Sequence, residues 1–366
     1  MTLLVGKPEL FGVSDEQIRE FYKASWGRPT ILSEAQFYGW QFLEPPAAQG
    51  RSDDLLVAFD DNAGVIAGVT GVVPRPFNLA GKASQGAELT TWVVADDYRS
   101  TGIGALMMNE LTEKYDALVA MGVTKFSLPV FLRSGFRIQR AIPRYLRPYN
   151  LQAVSEIGTV DPLARKLQQK WTPTAGRANY QVDEDVAAAD QIWNRFSQTH
   201  HGFARDAEHL AWRYLNHPVF AYRVFTITKG EAQAVVALRI EDAVPGIRIL
   251  HVVDLFGDDD AIAAAFDFVD DFSVGNDIDI ADFFCSSTKV GKHPLAKGWF
   301  SALDDQSLRF PHLFHPVTMR DPPTTTLVYW SKENFAEMCD FSGFYVTKSD
   351  ADFDRPVAKP KDAISA

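Results

Sequence analysis

The chain has few cysteines, and its first half has no histidine. The 366-residue chain has two cysteines, Cys285 and Cys339, and all eight histidines lie at or beyond His200. Two cysteines so far apart form neither a disulfide framework nor a CxxC metal site, which fits a reducing cytoplasm. We therefore expect no metal, and no histidine from the first half of the chain can act as a catalytic base.

Basic clusters and long apolar runs are missing as well. The net charge is −11, and binding a nucleic-acid backbone needs clustered Lys and Arg, so nucleic acid is not an expected partner. No stretch approaches about 18 consecutive apolar residues, and residues 1–11 lack the pattern of a signal peptide. With 46% hydrophobic residues the chain suits packed domains, and its length suits two. We expect a cytoplasmic protein with no membrane partner.

The most informative stretch present is LTTWVVADDYRSTGIG, at 89–104. Its first part predicts a buried strand, and from Ile103 the apolar residues follow helical spacing as far as Gly122. A helix N-terminus offers unpaired N–H groups and a positive dipole end. Gly102 and Gly104, which have no Cβ, let an anion approach the backbone closely. The stretch therefore predicts a phosphate-binding loop, the alternative being an ordinary strand-turn-helix corner.

Two common nucleotide loops do not fit this stretch. A Walker loop needs Lys followed by Ser or Thr after its glycines, and none is present. A dinucleotide fingerprint needs a third glycine where Met107 stands. Nucleoside triphosphates and NAD are both disfavoured.

What remains, Arg-x-x-Gly-x-Gly directly after a strand, resembles the pyrophosphate loop of the GNAT-type N-acetyltransferases. Phe126–Leu128 reads as the following strand, and Gly135 with Phe136 resembles the Gly-Phe signature of that family. The resemblance covers residues 14–150. It implies acetyl-CoA as acyl donor, with the coenzyme-binding residues Val93, Val94, Arg99, Ser100, Thr101, Gly102, Ile103 and Gly104.

The resemblance also implies roles in the chemistry. A backbone N–H of Val93 or Val94 would polarise the thioester carbonyl where the sheet splits, and Glu88 matches a position that holds the base in several members. The alternative for Glu88 is a solvent-exposed carboxylate at a strand end. Many members have a tyrosine that hydrogen-bonds the coenzyme sulfur, and Phe131 stands there. Phenylalanine cannot donate a hydrogen bond, which favours a non-catalytic coenzyme A-binding protein as the alternative function.

The second half of the chain repeats the first. The motif W-x-F/Y-L-x-x-P occurs at 40–46 and again at 212–218, each time followed by a strand, a turn and a second strand. The predicted fold is α/β with mixed sheets, in two GNAT-like domains in tandem. The predicted bounds are an acetyl-CoA-binding domain at 1–150, a linker at 151–179, a degenerate GNAT-like domain at 180–350 and a tail at 351–366.

The second copy differs where the chemistry would lie. Aligning Leu250–Asp254 with the central strand puts Asp258, Asp259 and Asp260 opposite the phosphate loop, and these carboxylates repel pyrophosphate. His200 and His201 fall in a loop that borders the acceptor in this fold, which predicts acceptor contact; the alternative is a solvated pair. The carboxylates between Asp350 and Asp354 are expected to be solvated.

The sequence thus leaves three functions open. The first is an acyl-CoA-dependent N-acetyltransferase acting on the amine of a small molecule such as an amino sugar or glycan precursor. The second is a coenzyme A-binding regulatory protein without catalysis, and the third is a scaffold without a ligand. The intact Arg99 loop counts against the third.

Overall fold

The structure is a computed structural model. It describes residues 2–26, 29–48, 54–79, 81–170, 179–244, 246–301, 308–309, 325–351 and 355–356. The strands are, in chain order, β1 (Leu3–Gly6), β2 (Leu56–Asp60), β3 (Val65–Leu79), β4 (Lys82–Val94), β5 (Ala117–Met121), β6 (Arg137–Gln139), β7 (Arg144–Pro148), β8 (Thr159–Val160), β9 (Gln181–Asp183), β10 (Gly202–Phe203), β11 (Arg223–Lys229), β12 (Ala232–Val244), β13 (Ile247–Gly257), β14 (Ile280–Phe284), β15 (Phe300–Ser301), β16 (Leu308–Arg309) and β17 (Leu327–Ser331). The α-helices are α1 (Asp15–Ser25), α2 (Ala35–Phe42), α3 (Ile103–Lys114), α4 (Leu128–Arg133), α5 (Leu151–Ile157), α6 (Pro162–Lys170), α7 (Ala189–Phe196), α8 (Ala207–Leu210), α9 (Asp259–Gly275), α10 (Thr288–Ala296) and α11 (Phe335–Met338).

Two mixed sheets carry these elements. The first has the order β1-β2-β3-β4-β5-β17-β6, with β10 added to β3, and the second has the order β15-β7-β14-β13-β12-β11-β9. In each sheet one neighbouring pair is parallel, β4 with β5 and β13 with β14. A helix, α3 or α9, connects each parallel pair, as a crossover requires. The predicted α/β class with mixed sheets is confirmed, and the matching strand orders agree with a duplication.

The two halves of the chain contribute strands to each other's sheets. β17, from the end of the chain, lies between β5 and β6 of the first sheet, and β7 lies between β14 and β15 of the second. The division at residue 150 therefore does not follow the sheets, because β7 at 144–148 belongs to the second and β17 at 327–331 to the first. Each sheet is completed by the other half of the chain, so the halves depend on one another for their cores. Below, the first and second domains mean the parts built on the first and second sheets.

Two local predictions in the first domain were wrong, and one strand was missed. The helix that begins at Ile103 ends at Lys114 rather than near Gly122, and Ala117–Met121 is strand β5. A short apolar run of that length fits a buried strand as well as a helix end. Residues Phe126–Leu128 are not a strand, since Phe126 is 80% exposed and Leu128 begins α4. β1 was not predicted at all.

The first sheet is covered on both faces. Helix α3 packs on one face through Met107 and Leu111, in a cluster with Leu89 of β4. Helices α1 and α2 pack on the other face, in a cluster that contains Val73 of β3 and Val93 of β4. Helix α1 begins with the predicted capping box of Ser14 and Gln17.

The repeated tryptophans hold the two domains together. The indole rings of Trp40 and Trp212 stack with centroids 5.4 Å apart. Each Nε1 donates to the other residue's backbone carbonyl, at 3.0 Å from Trp40 and 2.8 Å from Trp212. The exchange is reciprocal, as expected when two copies of one motif face each other across an approximate two-fold axis. The shared W-x-F/Y-L-x-x-P motif is thus an interface between the domains.

Candidate active site

The phosphate loop has the geometry of an anion site. After a short 3-10 turn at Asp96–Tyr98, the chain takes left-handed backbone angles at Ser100 (φ 67°) and Gly102 (φ 86°) and enters α3 at Ile103. Within the described residues, the amides of Gly102, Ile103 and Gly104 have no recorded hydrogen-bond partner. Three free amides at the start of a 12-residue helix can bind a pyrophosphate.

The two glycines serve different purposes. A Cβ on Gly102 would meet nothing within 4 Å, so glycine is needed there for its positive φ and for the open approach to the backbone. A Cβ on Gly104 would lie 2.9 Å from Cζ2 of Trp92, so Gly104 allows α3 to pack closely on that ring. Arg99 extends into solvent and pairs with Asp96 at 2.8 Å, with both side chains mostly exposed. A surface pair of this kind is weak, which leaves the guanidinium available to an anion.

The first sheet splits beside this loop. The pairing of β4 with β5 runs from Gly86 to Glu88 of β4, and β4 itself continues to Val94. β5 itself continues to Met121. The two strands therefore diverge from Glu88 onward and leave a cleft that leads from Glu88 to the phosphate loop.

The backbone of β4 shows which amides face the cleft. The amide of Ala95 donates to Ala67 of β3 at 2.9 Å, and groups on alternate residues of a strand point to opposite sides. The amide of Val93 thus points to β3, and that of Val94 points into the cleft. The guanidinium Nε of Arg99 lies 3.4 Å from the carbonyl of Val94 on the same side. Of the two residues expected to polarise the thioester, the geometry favours Val94.

Glu88 lies at the apex of the cleft and is not a solvent-exposed carboxylate. Its exposed fraction is 8%, and its register partner is Val73, on the face covered by α1 and α2. Its Oε2 lies 3.5 Å from Nη1 of Arg75, which in turn lies 2.9 Å from Oδ1 of Asp350. The alternative given for Glu88, a solvent-exposed carboxylate at a strand end, was therefore wrong. Its role as a base stays a proposal.

Phe131 lies on the other side of the cleft, in α4. Its ring makes edge contacts with Trp92, at a centroid distance of 5.4 Å, and with Phe136, at 5.0 Å. Phe131 is buried. The position expected to supply a tyrosine hydroxyl thus supplies an apolar wall instead. Helix α4 is short and spans only Leu128–Arg133.

The histidine pair does not lie at the Val94 end of this cleft. The backbone carbonyl of His200 accepts from Nδ2 of Asn78 at 2.7 Å. Asn78 is ten residues along β3 from Gly68, which pairs with Val94. At about 3.3 Å per residue the two positions are about 30 Å apart. His200 and His201 therefore do not border the end of the cleft at Val94, and their contact with the acceptor stays a prediction.

His200 instead lines a cavity in the second domain. The cavity has a volume of about 420 Å³ and lies beside Gly257 and the start of α9. The imidazole stacks on Phe196 with centroids 3.8 Å apart, and burial lowers the pKa of His200 to about 4, so it is neutral near pH 7. His201 is held by its amide, which donates to Gly343 at 2.8 Å.

The second domain lacks the phosphate loop. β13 passes into α9 through Gly257 and Asp258 alone. The Asp258 carboxylate accepts from Arg195 at 2.9 Å and from the amide of Gln233 at 2.9 Å. A carboxylate thus lies at the helix terminus where an incoming phosphate would have to bind.

The cleft of the second domain is filled by the protein's own chain. β13 also separates from β14 after Val252, but the hydroxyl of Tyr345 binds Leu255 there, 3.2 Å from its N and 2.7 Å from its O. Thr347 forms an isolated antiparallel β-bridge with Cys285, the residue after β14. Lys348 is fully buried and bonds Asp282 of β14 at 2.9 Å. Sequence reasoning missed this segment because nothing local marks it as a partner of β13.

Comparison with known proteins agrees with this geometry. Residues 15–136 match the model of the acetyltransferase (GNAT) family. This match covers about a third of the chain, and below "the GNAT domain" means the part of the first domain that it covers. The matched residues end at Phe136, the Gly-Phe signature, and contain the loop, the cleft and Glu88.

Solved structures are similar over most of the chain. A GCN5-related N-acetyltransferase from Anabaena variabilis ATCC 29413 has a TM-score of 0.56 at 12% identity, covering 90% of this chain and 72% of that one. One from Kribbella flavida has a TM-score of 0.55 at 11% identity, with coverages of 90% and 70%. A conserved Enterococcus faecalis V583 protein of unknown function, described as a probable N-acyltransferase, has a TM-score of 0.50 at 14% identity, with coverages of 78% and 66%. No curated protein matches the chain.

These likenesses concern the fold. They extend well beyond the GNAT domain, so the second domain belongs to the shared architecture. The predicted fold class, with two GNAT-like domains in tandem, is confirmed.

The described part of the chain offers little support for other kinds of site. Among the described residues, no group of three or more His, Cys, Asp or Glu is placed to hold a metal ion. Within the same part of the chain, no helix is both long and apolar enough to cross a membrane. Cys285 is fully buried, and burial raises the pKa of its thiol well above the usual value, so it is protonated and unreactive.

Proposed function

We propose that the protein is an acyl-CoA-dependent N-acyltransferase that uses acetyl-CoA to acetylate the amine of a small molecule, and that the GNAT domain carries the reaction. The observation that carries the proposal is the phosphate loop, with its free amides, opening directly onto the split between β4 and β5. A loop that binds pyrophosphate at one end of a cleft and a carboxylate at the other fits a coenzyme thioester lying along β4. The family match and the N-acyltransferase folds support the same class of reaction.

The residues of the GNAT domain have the following proposed roles. The amides of Gly102–Gly104 and the guanidinium of Arg99 hold the pyrophosphate. The amide of Val94 donates to the thioester carbonyl oxygen as negative charge develops there. Glu88 accepts a proton from the acceptor ammonium through water, so that the neutral amine can form its C–N bond to the acyl carbon. The C–S bond then breaks, and the thiolate leaves with the electron pair and is protonated from solvent. The nitrogen, positively charged once its C–N bond has formed, releases its second proton to solvent to give the amide.

The alternative function, coenzyme A binding without catalysis, rests on Phe131. Its ring packs between Trp92 and Phe136 and offers no donor to the sulfur. A thiolate can still leave unaided near neutral pH, so the two functions differ in turnover and not in binding. Thiol release from acetyl-CoA, measured against a panel of amino sugars, polyamines and amino acids, separates them. Coenzyme binding without thiol release for any amine would favour the alternative.

Glu88→Gln is expected to lower kcat about 100-fold near pH 7, the usual size of a general-base effect, with little change in acetyl-CoA affinity. The loss should shrink as the pH rises, because more of the acceptor amine is then neutral without help from the protein. Thiol release measured from pH 6 to pH 10 checks this.

The matched control is Glu241→Gln. Glu241 is as buried as Glu88, at 8%, and it also pairs with an arginine, Arg239 at 2.7 Å, but it lies in the second domain. The control should keep the rate of the unaltered protein. Equal loss of activity in both variants would show that Glu88 is not the base. The same conclusion would follow if the pH profile of thiol release in Glu88→Gln ran parallel to that of the unaltered protein.

A further inference from the structure

We propose that Arg355, near the end of the chain, is a positioning residue that holds the bulge of β4 and thereby aims the Val94 amide into the cleft. The inference rests on the proposed function, because it concerns the residues that polarise the thioester. Its starting point is Thr91. The pairing of β3 with β4 shifts register between Thr70 and Gly71, which makes Thr91 the extra residue of a β-bulge.

The backbone at Thr91 is strained. Its φ is 42°, in the left-handed region. A β-branched residue is a true outlier there, and such a conformation persists only when the surrounding structure holds it. The bulge therefore needs support from outside β4.

Three side chains from distant parts of the sequence supply that support. Nε2 of Gln41, in α2, donates to Oγ1 of Thr90 at 3.4 Å. The hydroxyl of Tyr22, in α1, donates to the carbonyl of Thr91 at 3.3 Å. The guanidinium of Arg355 donates through Nη2 to Oγ1 of Thr90 at 2.8 Å and to Oγ1 of Thr91. The two threonine hydroxyls are themselves 3.0 Å apart. Tyr22 thus holds the backbone of the bulge, and Arg355 holds both of its side chains.

The bulge sets the direction of every amide that follows it. Val94 lies three residues beyond Thr91, and adding or removing one residue of a strand turns the following groups to the opposite side. If the bulge relaxed, the Val94 amide would turn toward β3 and the amide of Val93 toward the cleft. Holding Thr91 therefore keeps the polarising donor in the cleft.

The chain segment before Arg355 is anchored in both domains. Tyr345 donates to Asp254 at 2.6 Å in the second domain. Asp350 pairs with Arg75 of the first domain and with Arg205, a fully buried residue. These contacts bring the end of the chain to the cleft of the GNAT domain. By this route the second half of the chain contributes to the site in the first.

The test compares full-length Arg355→Ala, Arg355→Lys and Tyr22→Phe. Hydrogen exchange, followed by mass spectrometry on a peptide spanning residues 89–95, reports the bulge directly, since Ala95 donates to β3. Acetyl-CoA is the probe for function, with thiol release to water measured for turnover and calorimetry for affinity. Arg223→Ala, which removes a guanidinium paired with exposed Glu184, is the control.

Arg355→Ala and Tyr22→Phe should each speed exchange in that peptide and lower thiol release about tenfold or more, while acetyl-CoA affinity stays within about twofold. Arg355→Lys, which keeps charged donors, should restore much of the loss. Unchanged exchange in Arg355→Ala would overturn the inference whatever the activity. If the unaltered protein does not bind acetyl-CoA, the proposed function fails, and exchange still decides whether Arg355 holds the bulge.

Discussion

Gly102→Asp is expected to abolish acetyl-CoA binding while leaving the fold intact. The added Cβ meets nothing within 4 Å, and a carboxylate at a helix N-terminus favours the helix itself. The same carboxylate would lie where the pyrophosphate binds. Two like charges about 4 Å apart repel by about 4 kcal/mol at an effective dielectric constant near 20, which is a loss of affinity of about 1,000-fold. Calorimetry with acetyl-CoA measures it.

Gly230→Asp is the matched control for this variant. Gly230 has φ 62°, and a Cβ there also meets nothing within 4 Å, but it lies in the turn between β11 and β12 of the second domain. Both variants place an aspartate at a positive φ and add the same charge. Binding that survives in Gly102→Asp, or that is lost equally in Gly230→Asp, would contradict the assignment of the loop.

Asp350→Ala is expected to have the largest effect on stability. The Asp350 carboxylate is fully buried and pairs with Arg75 at 2.9 Å and with Arg205, whose exposed fraction is 0%. Removing one partner of a buried ion pair leaves uncompensated charge, at a cost of about 3–5 kcal/mol. Urea unfolding at pH 7 should show a loss of that size. Asp242→Ala, which removes an exposed carboxylate 3.4 Å from Arg248, should change the free energy of unfolding by less than about 1 kcal/mol.

The same carboxylate predicts a pH dependence. Burial opposes ionisation of Asp350, but the guanidinium groups of Arg205 and Arg75 outweigh it and hold the pKa of the carboxyl below its usual value. A lowered folded-state pKa stabilises the protein above the unfolded pKa of about 4, and that stability is lost as the pH falls below it. In Asp350→Ala this part of the acid dependence should vanish. An Asp350→Ala protein as stable as the parent at pH 7 would show that the cluster stabilises nothing.

Structural features marked by a contiguous sequence motif could be predicted, whereas features that depend on distant segments of the chain could not. The strand, turn and helix start of the loop were predictable because its glycines, its arginine and its preceding strand are contiguous. That the loop binds pyrophosphate stays a proposal. The duplication was predictable from the repeated tryptophan motif. The exchange of β7 and β17 was not, because neither strand carries a sequence signal of which sheet it joins.

The candidate site was predictable only in part for the same reason. The sequence singled out Glu88 as a candidate base, but its burial depends on Arg75 and on the segment around Asp350, which is 262 residues further along the chain. That segment reads as a polar stretch, so Asp350 was wrongly expected to be solvated. Its pairing with two buried arginines shows only in the folded chain. His200 was expected near the coenzyme cleft because a loop between two helices was assumed to face the cleft of the other domain.

The central claim is that acetyl-CoA binds the GNAT domain and has no second site. The first domain offers free loop amides and an open split, whereas in the second Asp258 and Tyr345 occupy the corresponding positions. Native mass spectrometry of the full-length protein titrated with acetyl-CoA measures the number of ligands bound per chain. The account predicts one ligand per chain at saturation, and its loss in Gly102→Asp. Two ligands per chain, or none at millimolar acetyl-CoA, would contradict it.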